Sequence, residues 1–227
     1  MAQVEIAGAT LRLLPERAAW FEAAGTLLLA DVHLGKAQSF RRLGVPVPEA
    51  TTAGTLARLT RAIELTGARH VVVLGDLLHA AIATPKASGA ATLAAVAEWR
   101  RAHGGVHLTL VRGNHDAKAG LPPPAWDVQV VDEPWPLGPF ALRHHPLADD
   151  SGRYVLAGHL HPAVVLAGRG PGSVRVPCFH FGAALGVLPA FGEFTGSAGV
   201  RAATGDRLFA IAGDAVREVG ALHCPAT

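Results

Sequence analysis

The chain has 227 residues, of which 50% are hydrophobic and 17% are charged, and its formal net charge is +2. This length suffices to bury one sizeable core, and the apolar content excludes an intrinsically disordered chain. No segment approaches the roughly 20 uninterrupted apolar residues that a membrane span needs, and the N-terminus lacks the features of a signal peptide. Cys178 and Cys224 form no CxxC pair, which indicates free thiols in a reducing compartment. We therefore predict a single cytoplasmic domain over residues 1–227 with no membrane partner.

Apolar runs of strand length recur along the chain, and two longer segments have helical periodicity. The predicted strands are Thr26–Ala30, His70–Leu74, Val106–Val111, Asp127–Val131, Phe140–Arg143, Tyr154–Ala157, Ala163–Ala167, Val174–Phe181 and Leu208–Ile211. The predicted helices are Ala50–Thr66 and Lys86–Ala102. Strands alternate with helices in the first half and follow one another in the second, which predicts a layered α/β fold with parallel pairs early and antiparallel strands late. The last forty residues, Leu188–Thr227, carry no recognisable motif.

Compact polar clusters follow five of these strands. Their members are Asp31, His33, Asp76, Asn114, His115, Asp116, His144, His145, His159 and His161. In open α/β sheets, binding sites form at the C-terminal edge of the strands, so we expect these side chains to converge there. The i, i+2 spacing of Asp31/His33 and of His159/His161 would point both members of each pair the same way in an extended chain.

The residue types in these clusters suit metal ions. Imidazole, carboxylate and amide oxygen ligands without thiolate favour Mn, Fe, Zn or Co over a structural Cys-rich zinc site. Each motif alone has an ordinary explanation: Asp-x-His can be a loop, Gly-Asp a turn and Asn-His-Asp a helix cap. Together, at strand ends and in this order, they predict a site with seven protein ligands, which suits two ions that share one carboxylate.

The motifs Asp-x-His, Gly-Asp, Gly-Asn-His-Asp, a later His and Gly-His-x-His resemble those of the calcineurin-like metallophosphoesterases. This resemblance implies a sandwich of two mixed β-sheets flanked by helices, with two divalent metal ions, most often Mn2+. Position by position, it implies that one ion is held by Asp31, His33 and His161. The second is held by Asn114, His144 and His159, and Asp76 bridges both. His144 is preferred to His145 because the first His of the family's His-His-Pro motif usually ligates.

A narrower resemblance involves the segments 29–48, 75–79 and 157–162. These are similar to the bacterial ligase-associated DNA-damage-response endonuclease family. The resemblance implies DNA as substrate, a role in DNA repair, and association with an ATP-dependent DNA ligase, a DNA helicase and a metallo-β-lactamase-type exonuclease. Alternatives are a nucleotide pyrophosphatase, although that type usually has Arg in place of His115, a cyclic-nucleotide phosphodiesterase, and a non-catalytic scaffold, which would have lost ligands.

Two cations would lower the pKa of a bridging water, so that hydroxide attacks phosphorus near neutral pH. His115 is the candidate that protonates the leaving oxygen or binds a phosphoryl oxygen. Asp116 either orients His115 or caps a helix. Four further candidates for contact with substrate phosphates are Lys36, Arg41, Arg42 and His79. The alternative is that they form solvated polar surface, as a basic loop would. Natural substrate, strand preference and oligomeric state are left open.

Overall fold

The computed structural model describes residues 1–42, 44–46, 51–79, 87–148, 150–167 and 172–219. Its first seven strands are β1 Ala2–Ile6, β2 Ala9–Leu13, β3 Ala19–Phe21, β4 Thr26–Leu29, β5 His70–Leu74, β6 His107–Val111 and β7 Val128–Val131. The later strands are β8 Trp135–Leu137, β9 Phe140–Leu142, β10 Tyr154–Ala157, β11 Pro162–Ala167, β12 Ser173–Phe181, β13 Leu185–Val187, β14 Ala198–Gly199, β15 Arg207–Ala212 and β16 Ala215–Val219. The α-helices are α1 Lys36–Arg42, α2 Thr51–Thr66, α3 Ala87–Ala102 and α4 Asn114–Ala119.

The first sheet has the strand order β1-β2-β3-β4-β5-β6-β7. Strands β1 to β4 pair antiparallel, whereas β4 to β7 pair parallel. In the parallel part, Leu29 lies opposite Val73, and Leu74 lies opposite Val111. The chain therefore leaves β4, β5 and β6 at the same edge of the sheet, and the first three polar clusters begin there.

The second sheet follows the path β14-β11-β12-β13-β10-β9-β8, and β15 and β16 extend it from β12. Strand β10 pairs parallel with both β9 and β13, while β11 and β12 form an antiparallel pair. Because β9 and β10 run in the same direction, the segments that follow Leu142 and Ala157 leave this sheet at one edge. These segments carry His144 and His159.

Two apolar layers hold the fold together. Between the sheets, Leu28 and Val72 of the first sheet share a core with Phe140, Leu156 and other residues of the second. Burial of each such side chain stabilises the fold by about 1.5–3 kcal/mol. On the outer face of the first sheet, α2 and α3 cover a second core, which includes Leu27, Leu29, Leu59, Ile63, Val71, Val73, Val96 and Trp99. Strand β4 is buried on both faces, which explains its uninterrupted apolar run.

The predicted two-sheet sandwich is confirmed, and each predicted strand lies within one residue of an observed strand. The predicted helices begin in the structure at Thr51 and Ala87, since Ala50 and Lys86 lie outside the described residues. The predicted late antiparallel strands are observed in β11, β12, β15 and β16. The prediction did not include the antiparallel meander that β1 to β3 form before β4. These strands are short, and β1 and β2 alternate buried and exposed residues, so neither presents a continuous apolar run.

Cys178 of β12 is a buried free thiol, as predicted, and burial raises its pKa to about 12. Cys224 lies outside the described residues. Among the described helices, none combines the length and the hydropathy that crossing a bilayer requires.

Candidate metal centre

Loops from both sheets meet at one edge of the sandwich. The loops after β4, β5 and β6 face those after β9 and β10, and the structure brings the seven predicted ligands together there. These side chains are Asp31, His33, Asp76, Asn114, His144, His159 and His161. The expected convergence at the C-terminal ends of the strands is thus observed.

Asp31, His33 and His161 form one group, in which the candidate ligand atoms all lie within 4.8 Å of one another. His161 Nε2 is 3.3 Å from His33 Nε2 and 3.5 Å from Asp31 Oδ1. Atoms that bind one ion at about 2.1 Å lie about 3.0–3.4 Å apart at octahedral or tetrahedral angles. The Nδ1–H of His161 donates to the Gly196 carbonyl at 3.0 Å, which leaves Nε2 with its lone pair facing the group. These distances fit a shared cation.

Asn114, His144 and His159 form a second group. His144 Nε2 lies 2.8 Å from Asn114 Oδ1 and 3.0 Å from His159 Nδ1. The Nδ1–H of the buried His144 donates to the Leu74 carbonyl at 3.1 Å, so Nε2 of a neutral ring carries a lone pair. That lone pair points at another acceptor, Asn114 Oδ1, and such a pair of buried acceptors is favourable when a cation lies between them.

Asp76 lies between the two groups. Its Oδ2 is 3.9 Å from His33 Nε2, and its Oδ1 is 3.5 Å from His144 Nε2. Asp31 is also central, because its carboxylate accepts the backbone N–H of His159 at 2.9 Å. Asp31 and Asp76 are 0% and 2% exposed. Two carboxylates buried this close together need compensating positive charge, which divalent cations supply.

Several of these residues have left-handed backbone conformations. They are Asp31, His33, Asp76, His159 and His161, with φ between 49° and 71°. The prediction that Asp31/His33 and His159/His161 point the same way because the chain is extended is therefore wrong. Tight turns aim these side chains instead, and hydrogen bonds such as that from His33 N to the Asp76 carbonyl at 2.8 Å hold the turns. Non-glycine residues adopt such strained conformations mainly where the surrounding structure enforces them, which occurs most often at functional sites.

Glu133 distinguishes the two neighbouring histidines. Its Oε2 accepts the backbone N–H groups of His144 at 2.6 Å and of His145 at 3.0 Å, while its Oε1 lies 2.7 Å from His145 Nδ1. His145 is thus turned toward Glu133 at the rim, 4.9 Å from His159 between ring centroids. The geometry favours His144 as the central residue. No local motif marks Glu133, so sequence reasoning missed it.

In His161 burial lowers the pKa less than the Asp31 carboxylate raises it, whereas in His33 and His159 burial prevails and favours the neutral imidazole. Burial lowers the pKa of His33 to about 2, with smaller contributions from Lys36 and the neighbouring histidines. It also lowers the pKa of His159, and the adjacent His144 and His145 add to this effect. Neutral imidazoles can offer lone pairs to a metal at ordinary pH.

Comparison with known proteins agrees with this geometry. The family model for calcineurin-like phosphoesterases matches residues 26–161, more than half of the chain. The chain belongs to this family. Members of the family use divalent metals, and this phosphoesterase has His/Asp groups able to bind them.

Among solved structures, this phosphoesterase is similar to the nuclease MPE of Pseudomonas putida, with 42% identity and a TM-score of 0.82 over 96% of this chain and 99% of that one. It also matches YfcE, a phosphoesterase from E. coli, with 15% identity and a TM-score of 0.39 over 87% of this chain and 99% of that one. The latter likeness is too weak to carry an argument. None of the curated proteins matches the chain.

The predicted catalytic residues of the phosphoesterase lie beside the two groups. The His115 ring stacks on His79 with 4.9 Å between centroids, and its Nδ1–H donates to the His79 carbonyl at 3.2 Å. Its backbone N–H donates to Asp76 Oδ1 at 2.9 Å. Asp116 accepts the backbone N–H groups of Gly113 at 3.0 Å and of Leu78 at 2.9 Å. The contacts of Asp116 favour helix capping over orientation of His115.

The predicted phosphate contacts differ in position. Lys36 begins α1 beside the site, where burial lowers its pKa while the charges of Asp31 and Asp76 act in the opposite direction. His79 lies against His33 and His115, and the three rings form a further group of closely spaced nitrogens. Arg41 is partly buried on α1, and the side chain of Arg42 lies outside the described part of the structure. The basic segment is thus a helix rather than the loop that was the alternative to a phosphate contact.

Two glycines of the phosphoesterase allow a matched test of the site. Gly75 has φ +77°, and a Cβ there would overlap the ring of His144. Gly67 has φ +68°, but a Cβ there would meet nothing within 4 Å. Both alanine variants should lose about 1 kcal/mol of stability because alanine disfavours positive φ, and Gly75→Ala should lose more because its Cβ also overlaps a buried ring. Only Gly75→Ala should displace His144, and a displacement of about 1 Å can lower turnover about a hundredfold.

Thermal denaturation would measure how much stability each variant loses. Turnover of an aryl phosphodiester would show whether Gly75→Ala alone loses activity. Metal analysis should find less bound metal in Gly75→Ala. Equal activities would mean that the position of His144 does not matter for catalysis.

Proposed function

We propose that this phosphoesterase is a two-metal phosphodiesterase that cleaves DNA. The observation that carries the proposal is the position of Asp76, whose two carboxylate oxygens each face one of two separate groups of metal-binding side chains. The likeness to a nuclease at 42% identity over 96% of the chain supports a nucleic acid as the substrate class, and the resemblance to ligase-associated endonucleases narrows it to DNA. The resemblance to ligase-associated endonucleases supports a place in DNA repair, with a DNA ligase, a helicase and an exonuclease as partners.

In this proposal, Asp31, His33 and His161 hold one ion, Asn114, His144 and His159 hold the other, and Asp76 contacts both. The mixture of oxygen and imidazole donors suits Mn, Fe, Zn or Co, and the family resemblance makes Mn2+ the first choice among them. Two divalent ions at this position supply a water of lowered pKa and neutralise charge on the phosphoryl oxygens.

The other residues of the site position these ligands. The carbonyls of Leu74 and Gly196 hold His144 and His161 in the tautomers that direct Nε2 inward. Such outer contacts typically change metal affinity or activity about 10–100-fold when removed. Asp116 connects the start of α4 to the loop after β5 through Gly113 and Leu78. This connection keeps the His115 N–H on Asp76 and the His115 ring at the edge of the site.

His115 is assigned to the leaving group. Because its Nδ1–H is engaged by the His79 carbonyl, Nε2 is the atom that can hold a proton and release it to the departing oxygen. Lys36 lies next to Asp31 and Asp76, where a cation can pair with a substrate phosphate.

A substrate panel tests the proposal. Metal-free protein, prepared with a chelator, is assayed with and without Mn2+ on single-stranded DNA, duplex DNA, a cyclic nucleotide, a nucleotide pyrophosphate and an aryl phosphodiester. We expect Mn2+-dependent cleavage of DNA and of the aryl phosphodiester, with two Mn2+ bound per chain. Hydrolysis confined to the pyrophosphate or the cyclic nucleotide would replace DNA as the substrate. Inactivity on the whole panel would favour a non-catalytic scaffold.

A further inference from the structure

An open pocket of about 400 Å³ lies directly beside the metal-binding groups and shares His161 with them. Its wall includes Arg17, Arg58 and Arg175, whereas Glu193 is the one carboxylate among the described residues that line it. A second pocket of about 290 Å³ shares Arg17 and Arg58, but its lining also contains Glu16 and Asp214, and Glu16 pairs with Arg61 at 2.9 Å. The excess positive charge therefore lies in the first pocket, next to the place where a phosphodiester would react, and such a surface attracts anions.

Phe194 lies at the edge of this pocket and is 51% exposed. Its backbone has φ 58°, a left-handed conformation that is unfavourable for an aromatic residue. Neither the exposure nor the strained backbone improves the packing of the fold. The large apolar side chain of Phe194 is instead exposed to solvent beside arginine residues, which suggests contact with a ligand that has a flat apolar face.

The segment that carries Phe194 is hydrogen-bonded to the metal-binding loops. Phe191 N–H donates to the Ala30 carbonyl at 2.8 Å, and Gly192 N–H donates to the Asp31 carbonyl at 3.1 Å. Gly196 accepts the Nδ1–H of His161 at 3.0 Å. Phe194 is thus anchored on both sides through contacts with the reaction site, so its position relative to that site is defined.

The protein neutralises the arginines of the pocket only in part: among the described contacts, Arg58 pairs with a carboxylate, whereas Arg17 and Arg175 donate to backbone carbonyls. Arg58 donates to the Phe191 carbonyl at 2.6 Å and pairs with Glu193 at 3.3 Å. Arg17 reaches the carbonyls of Ala190 and Gly192 at 3.4 and 3.3 Å, which are long contacts. Burial lowers the pKa of Arg17 to about 10, and the charge of Arg58 acts in the same direction. Among the described residues that line this pocket, three guanidinium groups face one carboxylate, which leaves room for a further anion.

We propose that this pocket, defined by Arg17, Arg58, Arg175 and Phe194, binds the nucleotide adjacent to the cleaved phosphodiester in single-stranded DNA. The base stacks on Phe194, and the flanking phosphate pairs with Arg17 and Arg175. Stacking on a side chain requires an unpaired base with a free face, which a duplex does not offer without base flipping. This inference rests on the proposed function, since it assigns the contacts of a DNA substrate at the same site.

The first test compares Phe194→Leu with Phe194→Trp. Base stacking on an aromatic side chain changes affinity about five- to a hundredfold. Phe194→Leu should therefore raise KM for a single-stranded oligonucleotide about tenfold. Phe194→Trp, which keeps an aromatic ring, should have a KM close to that of the wild-type protein. An aryl phosphodiester has no neighbouring nucleotide, so the rise in its KM in Phe194→Leu should be at least several times smaller. An equal rise in KM for both substrates, or an unchanged KM for the oligonucleotide, would overturn the stacking role.

Abasic oligonucleotides provide a second measurement that needs no unstable variant. Removal of one base next to the cut should weaken cleavage by the wild-type protein to the same extent as Phe194→Leu. The two changes together should add little to either one, because they remove the same contact. If the two losses are additive, the base at that position does not contact Phe194.

Arg17→Gln tests the phosphate contact, and Arg101→Gln on the exposed end of α3 is its control. Loss of one phosphate contact should reduce the slope of log affinity against log salt by about 1 for Arg17→Gln. The slope should not change for Arg101→Gln. An unchanged slope in both would remove Arg17 from the pocket's function. If the wild-type protein does not cut DNA, the proposed function fails before any variant is compared, so the two failures are distinguishable.

Discussion

Replacement of Asp76 by alanine should abolish phosphodiester hydrolysis and lower the amount of bound metal. The side chain is almost fully buried between the two groups, with Oδ2 facing His33 and Oδ1 facing His144. Residues that merely orient metal ligands typically change affinity or activity about 10–100-fold when mutated, so loss of a shared ligand should exceed a hundredfold. The same carboxylate accepts the His115 backbone N–H, and its removal therefore also loosens the start of α4.

Asp132→Ala is the matched control for this experiment. Asp132 is also an acidic residue after a strand, but its side chain is 80% exposed and pairs with Arg112 at 2.8 Å on the surface. Surface pairs of this kind contribute about 0–1 kcal/mol, so activity and metal content should stay close to those of the wild-type protein. If Asp76→Ala keeps two metals and near-normal turnover, the ligand scheme is wrong.

The central part of the site can be predicted from sequence because its residues directly follow buried strands. The four residues of β4 are all buried, and the residue that comes after Ala30 is Asp31. Parallel pairing of β4, β5 and β6 then places Asp31, Asp76 and Asn114 at one edge, as the order of strands and motifs predicts. Local sequence suffices here because the strand pattern and the polar motif adjoin each other along the chain.

The backbone conformation at the ligands is less predictable. Asp31 and His33 have φ of 54° and 49°, although their alternation with apolar Val32 is typical of extended chain. Their conformation depends on hydrogen bonds to a neighbouring loop, namely from Asp31 N–H to the Gly75 carbonyl and from His33 N–H to the Asp76 carbonyl. These contacts exist only after β4 and β5 have paired, so no local pattern indicates them.

Contacts between residues far apart in sequence also explain why no function is predicted from the sequence of residues 188–227. Phe191 and Gly192 donate to the carbonyls of Ala30 and Asp31, and Gly196 accepts from His161. Each of these contacts uses the backbone of the late segment, so side-chain identity gives no signal. Arg17 joins the same region although it precedes the first motif. Only the folded chain brings these parts together beside the metal-binding groups.

Replacement of His115 by alanine should strongly reduce cleavage of DNA while sparing much of the activity on an aryl phosphodiester. The departing alkoxide of DNA is a poor leaving group, whereas an aryl oxygen leaves readily as an anion. General acid catalysis typically contributes about a hundredfold to ten-thousandfold. The loss should therefore reach at least about a hundredfold on DNA and remain much smaller on the aryl substrate.

Metal content and the comparison of the two substrates together decide between three roles of this imidazole. His115 stacks on His79 and meets His33 edge to face at 5.1 Å between centroids, and the three rings are close enough to form a metal-binding group. If His115 is a general acid, the variant should retain normal metal, and exposed His107 replaced by alanine should lose nothing on either substrate. Equal fractional losses on both substrates with normal metal would instead assign His115 to charge stabilisation on the phosphoryl oxygens. Loss of bound metal would make it a ligand. The general-acid role requires the difference between the two substrates, because only the leaving oxygen distinguishes them.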